Sequence, residues 1–319
     1  MQEVICIAVP QLLCYNTHGR CHIDNTENRP LCYEPCVSGF ESSLCVICKT
    51  GRIKMKLNHD FHIHTNLSLC AAKTVDAEHY ISKAKELGLN KIGFANHMWD
   101  ENIQPFLNDF YETQTVPYNL ELKDELKTLD KKGIKILFGA EAEFHPIYGV
   151  ALTEENAEKF DYIIVSNSHT HMTMDKSLYE PYERHAEFMI DAYKKILASP
   201  VSKYILFIAH PFDAVCCPYD NQILYKLISD DVYKELFSAT AQKGIAVEIN
   251  TSCFNGITKE SFELFGAIRM FRIAREMGCK FIFGSDSHSE KGHDSYLSVA
   301  QTIIDCLEIK ETDIALTAR

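Results

Sequence analysis

Histidine and carboxylate residues recur in short groupings along the chain: Asp60-x-His62-x-His64, Asn96-His97, Glu141-x-Glu143, His169-x-His171, His210-Pro211 and Asp286-x-His288. Neutral imidazoles together with carboxylates form the ligand set of Zn, Mn or Fe, and a carboxylate can bridge two ions. In an extended strand, residues i and i+2 face the same side. His62 with His64, and Asp286 with His288, can therefore converge on one centre. A single histidine at such a place is commonly solvated or hydrogen-bonded. The recurrence is what points to a multinuclear metal site. His59, His79, His145, His185 and His293 fall outside the pattern.

The elements that must position these residues are legible as alternating apolar runs. Short β-branched or bulky stretches at 57–63, 91–95, 135–140, 161–166, 204–209, 245–250 and 280–284 read as strands buried on both faces. Amphipathic stretches at 75–87, 120–132, 181–197, 230–243, 259–277 and 295–307 read as helices. Several of these end at a glycine suited to a left-handed cap: Gly88, Gly133, Gly244 and Gly278. Such alternation implies a parallel sheet with right-handed crossovers. Seven units in this length suit an α/β fold of the distorted (β/α)7, TIM-like barrel type, with an open doubly wound sheet as the alternative. Nearly every grouping above then lies at the C-terminal end of a strand, where parallel barrels build their sites. The sixth strand carries Glu248 and Asn250 there.

Composition narrows the function. The chain has 319 residues, 46% hydrophobic and 24% charged, as expected of a globular protein, with a formal charge of −12. That balance, without a basic run interleaved with aromatics, disfavours nucleic acid as the main partner. A small anionic substrate is compatible with it, because bound ions supply positive charge locally. No secretory signal or apolar stretch long enough to span a bilayer is visible, so a cytoplasmic, reduced protein is expected.

The segments DFHIHTNLS, ANH, GAEAEF, SNSHTH, AHPFD and GSDSH resemble the polymerase and histidinol phosphatase (PHP) family over most of residues 56–290. The resemblance implies a seven-stranded barrel with two or three divalent ions (Zn, Mn or Fe) on its rim. His62, His64, Glu141 and Asp286 would hold the first, and Glu141, His169 and His210 the second. His97 and His288 would help to hold a third. Glu143 competes with Glu141, and His171 with His169. The third site departs from the family pattern: the loop after the first strand offers Cys70, either as a thiolate ligand favouring Zn or as a small buried hydrophobe.

The implied reaction is hydrolysis of a small, histidinol-phosphate-like phosphate monoester by a hydroxide bridging two ions. Glu141, Asp286 and His288 would be the catalytic residues, with His288 or the third ion serving the leaving oxygen. Arg184 is the candidate for the distal phosphate oxygens. A nuclease or nucleotide phosphoesterase, and a noncatalytic metal-binding module, are the competing readings. The loop from Asn96 to Asn119 is long for its place and suggests a lid, with Trp99 and Phe106 either walling the pocket or packing beneath the loop.

Residues 1–54 form a separate Cys-rich extension, and residues 55–319 the barrel. Cys32-x3-Cys36 and Cys45-x2-Cys48 could build a zinc knuckle, with Cys14, Cys21 and His22 as spare ligands. The competing expectation is a disordered, metal-free extension.

Overall fold

The computed structural model describes residues 55–215 and 217–315. The cysteine pairs of the extension lie outside the described residues. Seven parallel strands form one sheet: β1 (His59–Ile63), β2 (Lys91–Met98), β3 (Lys135–Ala142), β6 (Tyr162–Ser166), β7 (Ile205–Ala209), β8 (Ala246–Asn250) and β9 (Phe281–Gly284). Their order follows the chain, as right-handed crossovers dictate. A two-residue antiparallel pair, β4 (Phe144–His145) and β5 (Gly149–Val150), interrupts the alternation.

The barrel is nearly closed. Beyond the end of β9, the Asp286 N–H donates to His62 O at 2.8 Å, and the His64 N–H donates to Ser287 O at 3.0 Å. Buried Asp60 accepts from the backbone N–H of His62 (3.1 Å) and of Ser285 (3.0 Å), and pairs with His293 Nε2 at 2.8 Å. The seam between first and last strands is therefore stitched at the rim that carries the histidines.

Two apolar layers hold the barrel. Helices cover its outside, and Phe61, Ala95, Leu137, Tyr162, Ile164, Phe207, Ala209, Ala246 and Ile282 fill its interior. Tyr162 occupies the centre, its hydroxyl donating to Phe61 O at 2.8 Å. Gly93 and Gly139 make room for it: a Cβ there would lie 2.3 and 2.4 Å from its ring or hydroxyl. In β1 the register against β2 shifts between Asp60 and Ile63. Phe61 packs inside while Ile63 joins the outer layer, although strict alternation would put both on one face. The irregularity rephases the strand and turns His62 and His64 inward.

The helices are α1 (Ala77–Leu87), α2 (Val116–Thr128), α3 (Glu154–Ala157), α4 (Thr170–Thr173), α5 (Tyr182–Ala198), α6 (Gln222–Leu227), α7 (Asp230–Gln242), α8 (Gly266–Glu276) and α9 (Tyr296–Leu307). Two helices differ most from the sequence expectation. α2 begins earlier, with Pro117 in its first turn, and ends at Thr128 because Leu129 is extended. Gly133 then turns the chain into β3 rather than capping the helix. α8 begins only at Gly266, preceded by a 3-10 turn at Phe262–Leu264. Among the described residues, no helix is long and apolar enough to cross a membrane.

Candidate metal centre

Strand ends bring His62, His64, His97, Glu141, His169, His210, Asp286 and His288 onto one rim, with Cys70 from the loop after β1 beside them. Four overlapping groups have ligand atoms within 4.8 Å of one another: His62, His64 and Asp286; His62, Glu141 and His210; His97, Glu141 and His169; and His64, Cys70, His97 and His288. Glu141 is the hub. Its Oε2 lies 3.4 Å from Nε2 of both His62 and His64 and 3.0 Å from His97 Nδ1. Its Oε1 lies 3.1 Å from His210 Nε2 and 3.6 Å from His169 Nε2.

The opposite edge of nearly every ring is held. His62 Nδ1 meets Glu248 at 2.8 Å, His64 Nδ1 meets Ser68 Oγ at 3.2 Å, and His169 Nδ1 meets Glu143 Oε2 at 3.0 Å. Ser168 Oγ donates to His210 O at 2.8 Å, which leaves it to accept from His210 Nδ1 at 2.9 Å. With its Nδ1 proton directed to Glu248, a neutral His62 points the lone pair of Nε2 into the cluster. There it faces His64 Nε2 at 3.0 Å, and Asp286 Oδ1 lies 3.4 and 3.2 Å from the two nitrogens. His97 Nδ1 and Glu141 Oε2 are both buried and find no hydrogen-bond partner, although they lie only 3.0 Å apart. Acceptors converging on shared space in this way fit a set of divalent cations.

The family model for the PHP domain matches residues 60–252. The chain belongs to the PHP family. A protein of Aeromonas hydrophila named "Probable phosphatase" is 28% identical over 236 residues, covering 73% of this chain and 79% of its own length. One of the same name from Aeromonas salmonicida is 27% identical over 239 residues, with the same coverage of each. The histidinol phosphate phosphatase of Lactococcus lactis, crystallised with zinc, L-histidinol and phosphate, superposes with a TM-score of 0.56 at 18% identity. That match covers 79% of this chain and 94% of the Lactococcus chain, and at such identity it shows the shared fold.

The electrostatics of this PHP centre follow from its composition. Burial opposes charge on His62, His97 and His210, yet the carboxylates outweigh it and raise all three pKa values: chiefly Glu248, Asp286 and Glu141 for His62, and Glu141 for the other two. Burial likewise opposes charge on Glu141 and Asp286, but His62 and its neighbouring histidines hold both well below the usual carboxylate range. His64 moves the other way, lowered by burial and by His288 and His97. Burial would raise the Cys70 thiol, but His288 and His97 bring it down to about 6. The cavity thus favours positive charge at its centre, in the form of a proton or a metal ion.

The structure separates the residues that competed at the sequence level. Glu141, near the end of β3, sits among the histidines. Glu143 lies just past the strand, where it accepts from the Phe144 N–H at 2.9 Å and the Tyr111 hydroxyl, and backs His169. His171 belongs to none of the four groups, and its ring centroid lies 5.8 Å from that of His169. Arg184 is exposed in the first turn of α5, and its side chain makes no contact with the cluster.

In the long loop, Trp99 is buried against Phe106 and Tyr111, and its indole N–H donates to Ile103 O at 2.7 Å. It is part of the loop's own core. Phe110 is the loop residue that reaches the cluster, its ring set edge-on to His97 at 5.5 Å. The sequence reading missed the parts played by Glu248, Ser68 and Ser168. Glu248 had a signal, a carboxylate at a strand end. The serines stand inside the motif segments DFHIHTNLS and SNSHTH, but nothing in their type or spacing pairs them with His64 and His210.

Proposed function

We propose that this chain is a metal-dependent phosphatase that hydrolyses a small phosphate monoester. The observation that carries the reading is the convergence of acceptor atoms from His62, His64, His97, Glu141, His169, His210 and Asp286 on one shared space. Membership of the PHP family, phosphatase-named relatives and a neighbour holding zinc, L-histidinol and phosphate support it. His62, His64, Glu141 and Asp286 would hold one ion, and Glu141, His169 and His210 a second. His97, His288 and Cys70 would hold a third, and a thiolate there favours Zn.

Such ions, when bound, activate water near neutral pH and offset charge on the phosphoryl oxygens. The chain's own residues do the rest. Glu141 and Asp286 hold the negative charge that keeps cations at the centre. The third ion, or His288 where that ion is not held, would serve the leaving oxygen; His288 is half-buried, with its Nδ1 2.8 Å from Asp286 O. A cavity of about 440 Å³ beside Asp286, lined by Asp213, Tyr219, Asn221, Ser252 and Cys253, offers room for the organic part of a small substrate. Arg184 would serve the distal oxygens from its exposed position, so Arg184→Ala is expected to raise KM and spare kcat.

The catalytic unit in this reading is residues 55–319. The test is metal quantification on the purified protein, with phosphate release from histidinol phosphate, sugar phosphates, mononucleotides and single-stranded DNA. Turnover of a small monoester with two or three bound ions is expected. Turnover of nucleic acid alone, or of nothing with Zn and Mn supplied, overturns the reading.

A further inference from the structure

Strand β8 contributes no residue to any of the four ligand groups, yet its two rim residues touch three members of them. Glu248 is fully buried. Its Oε1 pairs with His62 Nδ1 at 2.8 Å, and its Oε2 accepts from the His210 N–H at 2.6 Å. Asn250, two residues on and also buried, donates from Nδ2 to Asp286 Oδ2 at 3.2 Å, with Glu248 Oε2 3.4 Å away. These partners come from β1, from the end of β7 and from the loop after β9, places remote in sequence.

Two of the three are also in an unusual backbone conformation. His210 has φ 25° and Asp286 has φ 52°, positive values that side-chain-bearing residues rarely adopt. Such conformations persist where surrounding contacts over-determine them. The His210 N–H bond to Glu248 and the Asp286 side-chain bond to Asn250 are contacts of that kind.

Gly284 at the end of β9 is shaped to the same arrangement. A Cβ there would lie 2.1 Å from Glu248 Oε1 and 2.6 Å from His62 Cβ. The last strand therefore gives up a side chain so that the carboxylate can reach His62.

We infer that Glu248 and Asn250 form a bracket that sets the positions of His62, His210 and Asp286, making them positioning residues for the metal centre rather than ligands. A carboxylate behind a ligating imidazole fixes its tautomer, aims its lone pair and raises its basicity. The bracket is distinctive in serving ligands from three strand ends with one pair of side chains. The inference rests on the metal reading above.

Zinc affinity by competition with a chromogenic chelator tests it, using the full-length protein. If the wild type binds neither zinc nor manganese, the metal reading itself fails. If it binds, Glu248→Gln, nearly isosteric and uncharged, is expected to weaken zinc by about 10- to 100-fold. Its kcat should fall while KM stays near the wild-type value, and Glu248→Asp, which keeps the charge, should recover part of the affinity. A role confined to folding would lower Tm without changing the zinc affinity of the folded protein. Zinc affinity within twofold of wild type in folded Glu248→Gln overturns the inference. Should that variant fail to fold, Asn250→Ala decides by the same criterion, since it removes the Asp286 bond and leaves Glu248 in place.

Discussion

The metal rim has two unlike halves. At its rear, His62, Glu141 and His210 are sealed from solvent, and each ring is held from behind by a carboxylate or a serine. At its front, His288 is 30% exposed, Cys70 is exposed, and His97 packs against Phe110 from the long loop. His288 Nδ1 meets the Asp286 carbonyl at 2.8 Å and its carboxylate at 3.5 Å, with no buried group from another strand hydrogen-bonded behind it among the described residues. Rings locked by buried partners meet an ion with little reorganisation, whereas exposed ones adapt to what arrives. The rear is therefore a fixed frame, and the front is the half more open to solvent.

The largest predicted effect breaks the rear. His210→Ala or Glu141→Ala should lower phosphate release by at least about 10³-fold, because several kcal/mol of charge stabilisation leaves with the ions. Metal content measured on the same samples should fall by one ion or more. Activity and metal content both retained would remove these residues from the centre and with them the contrast between halves.

The front should give way more gently. Cys70→Ala and His288→Ala are expected to lose one ion while the rear ions stay, with an activity loss of about 10- to 100-fold. Cobalt(II) substitution sharpens the test. A sulfur-to-cobalt charge-transfer band in the wild type, absent in Cys70→Ala, marks the thiolate as a ligand. No such band would make Cys70 a bystander and leave the front with imidazoles alone.

The fold was more legible in the sequence than the two halves of the rim. The alternation of strands and helices, and the histidines at strand ends, were legible because both follow local periodicity. The resemblance put Glu141 ahead of Glu143, but their separate surroundings were not legible, since these depend on β3 ending at Ala142 and on Tyr111 arriving from the long loop to meet Glu143. Nor was the inward turn of His62 and His64, which follows from a register shift against β2 that no single-strand pattern records. Glu248 was visible as a carboxylate at a strand end. Its partners, His62 and the His210 backbone, are 186 and 38 residues away, so only the closed barrel could reveal its role. Helix bounds failed where composition misled: Lys131 and Lys132 continue a helical charge pattern, but the backbone has already left the helix at Leu129.

The prediction that touches the metal centre least concerns the stability of the seam on which the rear rests. His59, buried at the start of β1, accepts at Nε2 from the Phe283 N–H at 3.3 Å, tying the first strand to the last. Burial lowers its pKa from 6.5 to about 4. The unfolded chain thus takes up a proton near pH 6.5 that the folded chain refuses until near pH 4. The resulting stabilisation is complete above the unfolded value and is lost as pH falls through that window, by about 3 kcal/mol in all. His59→Gln keeps an acceptor for Phe283 but cannot take up the proton. Denaturant unfolding of both proteins should give curves of stability against pH that converge on acidification from 7 to 4. The front half does not rest on this link, so zinc bound by Cys70, His97 and His288 should respond less to His59→Gln than zinc bound by His62. Stability curves that stay parallel would show that His59 carries no such burden.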